Sequence, residues 1–217
     1  MIKQKLIVDF DGVIVNSIKS YCKTYNNKYK NHPQFKVADY IKLQQWDCQD
    51  ECPLEKQAEV IFSNKDFFNN LEFMPNAKEI IEKLSKEYHI IICSIGTPEN
   101  ISYKSLWIKE NLPCIKDTIL ISNQECFMDK SIVNMKDCIF VDDNANNLNS
   151  SNADIRICFG KEYSYNKDWD GTKAYNWKNL YKLVHQLQNN LIYENINNGI
   201  NLHSLRSYYE NKLHKGE

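Results

Sequence analysis

The stretch KLIVDFDGVIVNS, Lys5–Ser17, decides how this chain is read. Its first part, Lys5–Phe10, has the short apolar, β-branched character of a buried strand. That strand ends in two acids, Asp9 and Asp11, separated only by Phe10 and followed by Gly12. Two carboxylates so close repel each other unless a positive charge lies between them. A calcium loop of the EF-hand type does not fit: counting from Asp9, the glycine is fourth rather than sixth, and the twelfth residue is Ser20 rather than glutamate. A surface turn is the bland alternative, and the rest of the chain has to decide between it and a metal-dependent site.

Four more runs look like that strand: His89–Ser94, Thr118–Ile121, Cys138–Val141 and Ile155–Phe159. Their near-continuous apolarity is that of strands covered on both faces. Segments of helical period lie between them. Asn76–Tyr88 places Ala77, Ile80, Ile81 and Leu84 on one face, with Asn76 as the expected N-cap. Thr97–Glu110 opens on a threonine cap with Pro98 at the first helical position. Trp177–Leu187 is a third helical run. Alternating strand and helix predicts an α/β fold with a doubly wound, Rossmann-like parallel sheet.

The alternation breaks once. About 65 residues after the first strand contain no convincing strand, but they show helical patches at Ile18–Tyr29, Val37–Gln45 and Glu55–Phe62. A bare loop of that length is improbable in a compact domain, so a small helical cap inserted after the first strand is expected. The expected organisation is a core of residues 1–17 and 76–188, a cap of residues 18–75, and a C-terminal extension of residues 189–217, helical or partly disordered, with a helix at Leu202–Leu213.

The chain has 217 residues, 42% of them hydrophobic and 25% charged, an ordinary soluble balance. A formal net charge of −1 gives no global basic field, so a nucleic-acid partner is not expected. No apolar run is long enough for a membrane span, and MIKQKLIVDF does not read as a signal peptide. Of the eight cysteines, Cys93, Cys138 and Cys158 fall in strand-like runs and read as small buried hydrophobes. Cys48 and Cys52 are the one close pair and lack a second pair for zinc, so unpaired thiols on a helix in a reducing, cytoplasmic setting are expected.

The polar residues fall where a doubly wound sheet binds its ligands, beyond the carboxyl ends of the strands. Asp9 and Asp11 follow the first strand, Ser94 closes the second, and Asp142 with Asp143 closes the fourth. Lys130, before that strand in FMDKSIV, can reach the same edge from a helix start. Clustered carboxylates call for a hard cation such as Mg²⁺. A carboxylate beside a metal and a lysine suits attack on phosphorus, and a second carboxylate suits proton transfer to and from the oxygens. A hydroxyl and an ammonium suit the phosphoryl oxygens.

These motifs resemble those of the haloacid dehalogenase superfamily of phosphotransferases. DFDGVIVNS is similar to its first motif, Ser94 to its second, Lys130 to its third and Asp142–Asp143 to its fourth, in order, over about residues 5–160. The resemblance implies Asp9 as nucleophile, Asp11 as acid and base, and Ser94 and Lys130 as phosphate contacts. It also implies Mg²⁺ held by Asp9, the Asp11 main-chain carbonyl, Asp142, and Asp143 directly or through water. The long helical segment corresponds to that superfamily's first type of cap. Two further stretches, FFNNLEFMPNAKEIIEKLSKEYHIIICS and RICFGKEYSYNKDWDG with NWKNL after it, resemble the 5′(3′)-deoxyribonucleotidases and their bacterial relatives.

The expected activity is therefore a Mg²⁺-dependent phosphomonoesterase working through a phospho-aspartate, nucleotidase-like toward (deoxy)nucleoside monophosphates. Its partner is a small phosphorylated metabolite, and a homodimer is compatible with the sequence. A sugar-phosphate phosphatase or mutase, or a non-catalytic nucleotide-binding module, is the alternative. Thr97 competes with Ser94, but TPEN reads as a helix cap. Lys136 and Lys116 compete with Lys130, which is preferred because it opens the helix-like SIVNM run at the superfamily's spacing. Asp142 and Asp143 have a turn with an Asx cap as their alternative. Among the aromatics of the cap, Tyr21, Tyr25, Tyr40, Trp46 and Phe68 are candidates to stack on a base, against the commoner fate of core residues.

Overall fold

Strands form where the apolar runs are continuous, and the most apolar of them lie in the middle of the sheet. A computed structural model describes residues 3–122 and 129–197, with side chains to residue 187. Its six-stranded sheet has the order β3-β2-β1-β4-β5-β6. The strands are β1 (Lys5–Val8), β2 (His89–Gly96), β3 (Asp117–Ser122), β4 (Cys138–Asp142), β5 (Ile155–Phe159) and β6 (Thr172–Ala174). Every pairing is parallel. All five residues of β4 are buried, as a strand covered on both faces requires, whereas edge strand β3 is exposed at its start.

The helices are α1 (Ser17–Tyr29), α2 (Ala58–Phe62), α3 (Lys65–Asn69), α4 (Ala77–Leu84), α5 (Pro98–Asn111), α6 (Ala145–Ser150) and α7 (Trp177–Asn197). One apolar cluster lies under α4, α5 and α7 and includes Leu6, Val8, Ile81, Ile92 and Trp177. The other face of the sheet packs Ile7, Cys93, Phe140, Leu148 and Trp169. A third cluster, with Tyr21, Tyr25, Leu43, Ile61 and Phe67, belongs to the inserted segment. That segment leaves the core at Asn16 and returns beside it, where Asn16 N donates to Glu72 O at 2.9 Å and Met74 N to Ile14 O at 2.8 Å. None of the helices among the described residues is long and apolar enough to cross a membrane.

Several local expectations change. Val37–Gln45 forms turns rather than a helix, because side chains take the backbone donors: Asp39 Oδ1 accepts from Ile41 N at 3.0 Å and Asp50 Oδ2 from Gln44 N at 2.6 Å. In Glu55–Phe62 only the last turns, Ala58–Phe62, are helical. Asn76 precedes α4 but caps nothing with its side chain; it adopts φ 66°, a left-handed conformation asparagine tolerates. Thr97 does cap α5, its Oγ1 accepting from Asn100 N at 3.2 Å. Lys130 and the residues after it form bends and turns, not a helix start. Strand β6 was missed, since only Ala174 of its three residues is buried. Helix α7 runs past Leu187 to Asn197, and the expected helix Leu202–Leu213 lies outside the described residues.

Cys48 and Cys52 are buried free thiols, in irregular backbone between turns rather than on a helix, and they pack with Cys22 in the third cluster. Burial pushes the Cys48 thiol well up, and a hydrogen bond with Cys22 followed by burial does so for Cys52. Thiols held protonated in this way are unreactive.

Candidate active site

Register brings the motifs together before any side chain is considered. Val8 of β1 pairs with Ile92 of β2 and Val141 of β4, so Asp9 emerges beside Cys93 and Asp142. Asp9 N extends the ladder to Val141 O at 2.9 Å. Phe10 is fully buried and packs edge-on against Trp107, with ring centroids 5.4 Å apart. The chain bends at Phe10, and Asp11 stays close enough to Asp9 for the two charges to act on each other. Gly12 completes the turn at φ +68°, and a Cβ there would lie 2.2 Å from Asp143 Oδ2. A side chain at Gly12 is therefore excluded both by backbone conformation and by the fourth motif.

Lys130, 1% exposed, places Nζ 2.5 Å from both Asp9 Oδ1 and Asp142 Oδ2. Of the three candidate lysines, it is the one at the acids. Asp142 Oδ1 accepts from Asn144 N at 2.8 Å and from Asn147 Nδ2 at 3.2 Å. Asp143 Oδ2 accepts from the Tyr165 hydroxyl at 3.3 Å, and its main-chain oxygen from Asn166 Nδ2 at 2.9 Å. Ser94 is buried within β2, two residues before its end, and borders the same cavity.

A second ammonium was not foreseen from the sequence. Lys104, on α5 and 1% exposed, has Nζ 2.5 Å from Asp11 Oδ2, 2.9 Å from Ser94 Oγ and 3.0 Å from Ile95 O. The other Asp11 oxygen, Oδ1, is buried without a partner. Asn100, Lys104 and Ile108 are the buried residues of α5, four apart, an inward face that packing reveals and residue type does not. Asn147 on α6 and Tyr165 and Asn166 in the loop after β5 were also missed as partners of the acids, because single asparagines and tyrosines carry no distinctive pattern.

Four carboxylates and two ammoniums thus meet at one end of a cavity of about 200 Å³. Two negative charges are left without a counter-charge, which fits one divalent cation. The electrostatics agree. Burial, then the charges of Asp142 and Asp9, hold the Asp143 carboxyl well above its ordinary value. Burial pushes Asp142 up to about 6 against the pull of Lys130. Burial likewise raises Asp11 despite Lys104. Lys130 is raised because the charges of Asp142 and Asp9 outweigh its own burial. Carboxylate oxygens of Asp9, Asp142 and Asp143 lie within 4.8 Å of one another, a group able to hold a metal ion.

The remaining walls come from the inserted segment and from α5. Ser63 Oγ meets Thr97 Oγ1 at 2.7 Å, and Asn100 Nδ2 donates to Phe62 O at 2.7 Å. Thr97 therefore ties the two parts together, while Ser94 keeps company with Lys104 and the acids. On the opposite side Ser164 Oγ donates to Gln44 O at 2.8 Å and Lys161 Nζ to Ile41 O at 3.0 Å. Trp46 borders the cavity and is 55% exposed, whereas Tyr21, Tyr25 and Phe68 are core residues. Tyr40 packs against the third cluster. Asn16 caps α1 by accepting from Lys19 N at 3.1 Å, and Ser17 borders the cavity.

This parallel sheet and its acidic strand-end site define a class, the haloacid dehalogenase superfamily of phosphatases. Within it the chain belongs to the family described as 5′ nucleotidase, deoxy (pyrimidine), cytosolic type C protein, which matches residues 3–190. A 5′(3′)-deoxyribonucleotidase of Clostridium acetobutylicum is 27% identical over 183 residues, 80% of this chain and 95% of that protein. A Staphylococcus epidermidis protein provisionally named as such an enzyme is 24% identical over 115 residues, and the match spans only 62% of its length. Among solved structures, a Clostridium acetobutylicum protein described as a predicted phosphatase shares the fold, with a TM-score of 0.61 over 86% of this chain and 100% of that one at 13% identity.

Proposed function

We propose that this protein is a Mg²⁺-dependent phosphomonoester hydrolase that works through a phospho-aspartate on Asp9 and acts on nucleoside or deoxynucleoside monophosphates. The observation that carries the reading is the convergence of Asp9, Asp11, Asp142 and Asp143 with two buried lysines at the inner end of one cavity. Asp9, Asp142 and Asp143, with the Asp11 main-chain carbonyl, would hold the ion. Bound Mg²⁺ supplies the positive charge that lets a phosphate dianion approach these carboxylates.

The chain's own groups divide the reaction. Asp9 attacks phosphorus and the bond to the leaving oxygen breaks, leaving the phosphoryl group on Asp9. Asp11 gives its proton to the leaving oxygen; its raised pKa and its unpartnered Oδ1 both suit that donation. Asp11 then takes a proton from the water that attacks phosphorus and frees Asp9. Ser94, Lys130 and Lys104 stabilise the charge on the transferring oxygens. Trp46 and Phe62, which border the cavity, offer flat apolar area to a base. The relatives' names favour a nucleotide substrate.

The test is phosphate release across nucleoside monophosphates and sugar phosphates, with Mg²⁺ and with EDTA. Turnover should require Mg²⁺ and favour nucleotides. Asp9→Asn should abolish it, and near-normal turnover in that variant would sink the assignment.

A further inference from the structure

The cavity is charged unevenly along its length. Its two cations, Lys104 and Lys130, both sit at the inner end, each 1% exposed and each already paired with an aspartate. The outer wall is built by the inserted segment. There Glu59, Phe62 and Ser63 of α2 and its C-terminal end all border the cavity. Their spacing of three and four residues sets them on one helix face. The orientation of that face is fixed, because Ser63 is hydrogen-bonded to Thr97 and Phe62 O to Asn100. Glu59 is exposed, and its carboxylate makes no ion pair or side-chain hydrogen bond among the described residues. Gln45 adds a neutral polar group beside Trp46 on the same outer wall.

A first-turn acid can simply favour the helix dipole. In a helix of five residues that gain is small, and it does not require the acid to face a cavity. We propose that Glu59 is a specificity-determining residue, a charge filter that admits phosphomonoesters of uncharged alcohols and rejects those whose leaving group carries a second anion. The proposal rests on the phosphomonoesterase reading above. A second anion entering beside Glu59 finds a like charge and no uncommitted cation among the described lining residues. At about 6 Å and an intermediate dielectric that repulsion is worth about tenfold in binding. An uncharged leaving group with N–H or O–H donors instead finds an acceptor.

Matched pairs of esters test this. Uridine and orotidine 5′-monophosphates differ only by a carboxylate on the base, and glucose 6-phosphate and 6-phosphogluconate differ chiefly by a carboxylate far from the phosphate. Their kcat/KM values are compared with Mg²⁺ present, for the wild type and for Glu59→Gln and Glu59→Lys. The wild type should favour the uncharged member of a pair by about tenfold or more. Glu59→Gln should narrow that ratio by about tenfold, and Glu59→Lys should narrow it further or reverse it. High salt should narrow it in the wild type, an arm that needs no variant. Ratios that stay the same, to within about twofold, across wild type, both variants and salt overturn the filter while leaving the hydrolase reading intact. Turnover of the sugar pair alone, with the expected ratios, supports the filter and overturns the nucleotide reading. Release of phosphate from none of the four esters overturns both.

Discussion

Lys104 Nζ stands 2.5 Å from Asp11 Oδ2 and 2.9 Å from Ser94 Oγ, so one ammonium on α5 joins the ends of two different strands. It is as deeply buried as Lys130, and among the described residues it is the partner of Asp11 Oδ2, while Asp11 Oδ1 has none. Lys104→Met keeps the length of the side chain and removes the charge. Asp11 would then be a half-buried acid without its paired cation, and its pKa would rise further above its ordinary value. Its ionised form, which must accept the proton in the second step, would be scarcer. Turnover should fall by about 10²-fold with phospho-enzyme accumulating. Breaking this half-buried pair should also cost about 1–3 kcal/mol of stability. Rapid-quench measurement of the phospho-enzyme checks this; a slow first step with no accumulation would mean that Lys104 serves phosphate binding alone.

The uncompensated charge makes a prediction about the ion. Without a cation, Asp143 is a half-buried acid whose carboxylate is held by one tyrosine hydroxyl at 3.3 Å. Mg²⁺ at about a hundred times its Kd should stabilise the fold by about 2.7 kcal/mol, or roughly 5–10 °C in Tm for a chain of this size. Asp143→Asn removes one of the two unbalanced charges. It should melt at or above the wild-type temperature without Mg²⁺ and lose most of the Mg²⁺ shift. A wild-type Tm indifferent to Mg²⁺ but sensitive to Asp143→Asn would place the ion elsewhere.

How far the sequence carried depends on the kind of signal. Strands β1, β2, β4 and β5 were legible because burial on both faces leaves unbroken apolar runs. The acids at their ends were legible because a parallel sheet delivers them to the one edge where such folds bind ligands, which isolated turn acids would not do. Lys104 was not, since a lysine in KSLWIKEN looks like a solvated helix position until Asp11 is placed opposite it. Val37–Gln45 has the apolar spacing of a helix, yet Asp39 and Asp50 capture its backbone donors. The carboxylate of Glu59 carries no sequence signal at all, because which face of a five-residue helix looks inward is set by tertiary contacts at Ser63 and Phe62.

The first motif is held from behind by α7. Trp177, 1% exposed, donates Nε1–H to Val13 O at 2.8 Å and packs against Phe159 with centroids 5.7 Å apart. Trp177→Phe leaves that carbonyl buried without its donor and opens space beside it. A cost of about 2–4 kcal/mol is expected. Val13 lies two residues after Asp11, so the acid should lose its aim and kcat should fall more than KM changes. Thermal melting and steady-state kinetics together decide: a lower Tm with unchanged kcat would limit Trp177 to packing.

The inserted segment has its own electrostatic anchor. Glu55 is 6% exposed, and its Oε2 accepts from Lys28 Nζ at 2.6 Å and from the Tyr29 hydroxyl at 3.1 Å. Burial pushes this carboxyl up, but the hydrogen bonds from Lys28, the Gln57 backbone and Tyr29, with the Lys28 charge, outweigh it and hold the group below its ordinary 4.5. A depressed folded-state pKa contributes stability that is fully present above the unfolded value and is lost as pH falls through the folded one. Glu55→Gln should therefore lower stability near neutral pH, by about 1–2 kcal/mol given that Lys28 is 39% exposed. The deficit should shrink as pH falls below about 4.5, where wild-type Glu55 takes up its proton. Urea midpoints across the acid range measure it. Two curves that remain parallel throughout would mean that Glu55 contributes through packing, and that its contacts with Lys28 and Tyr29 do not stabilise the ionised form.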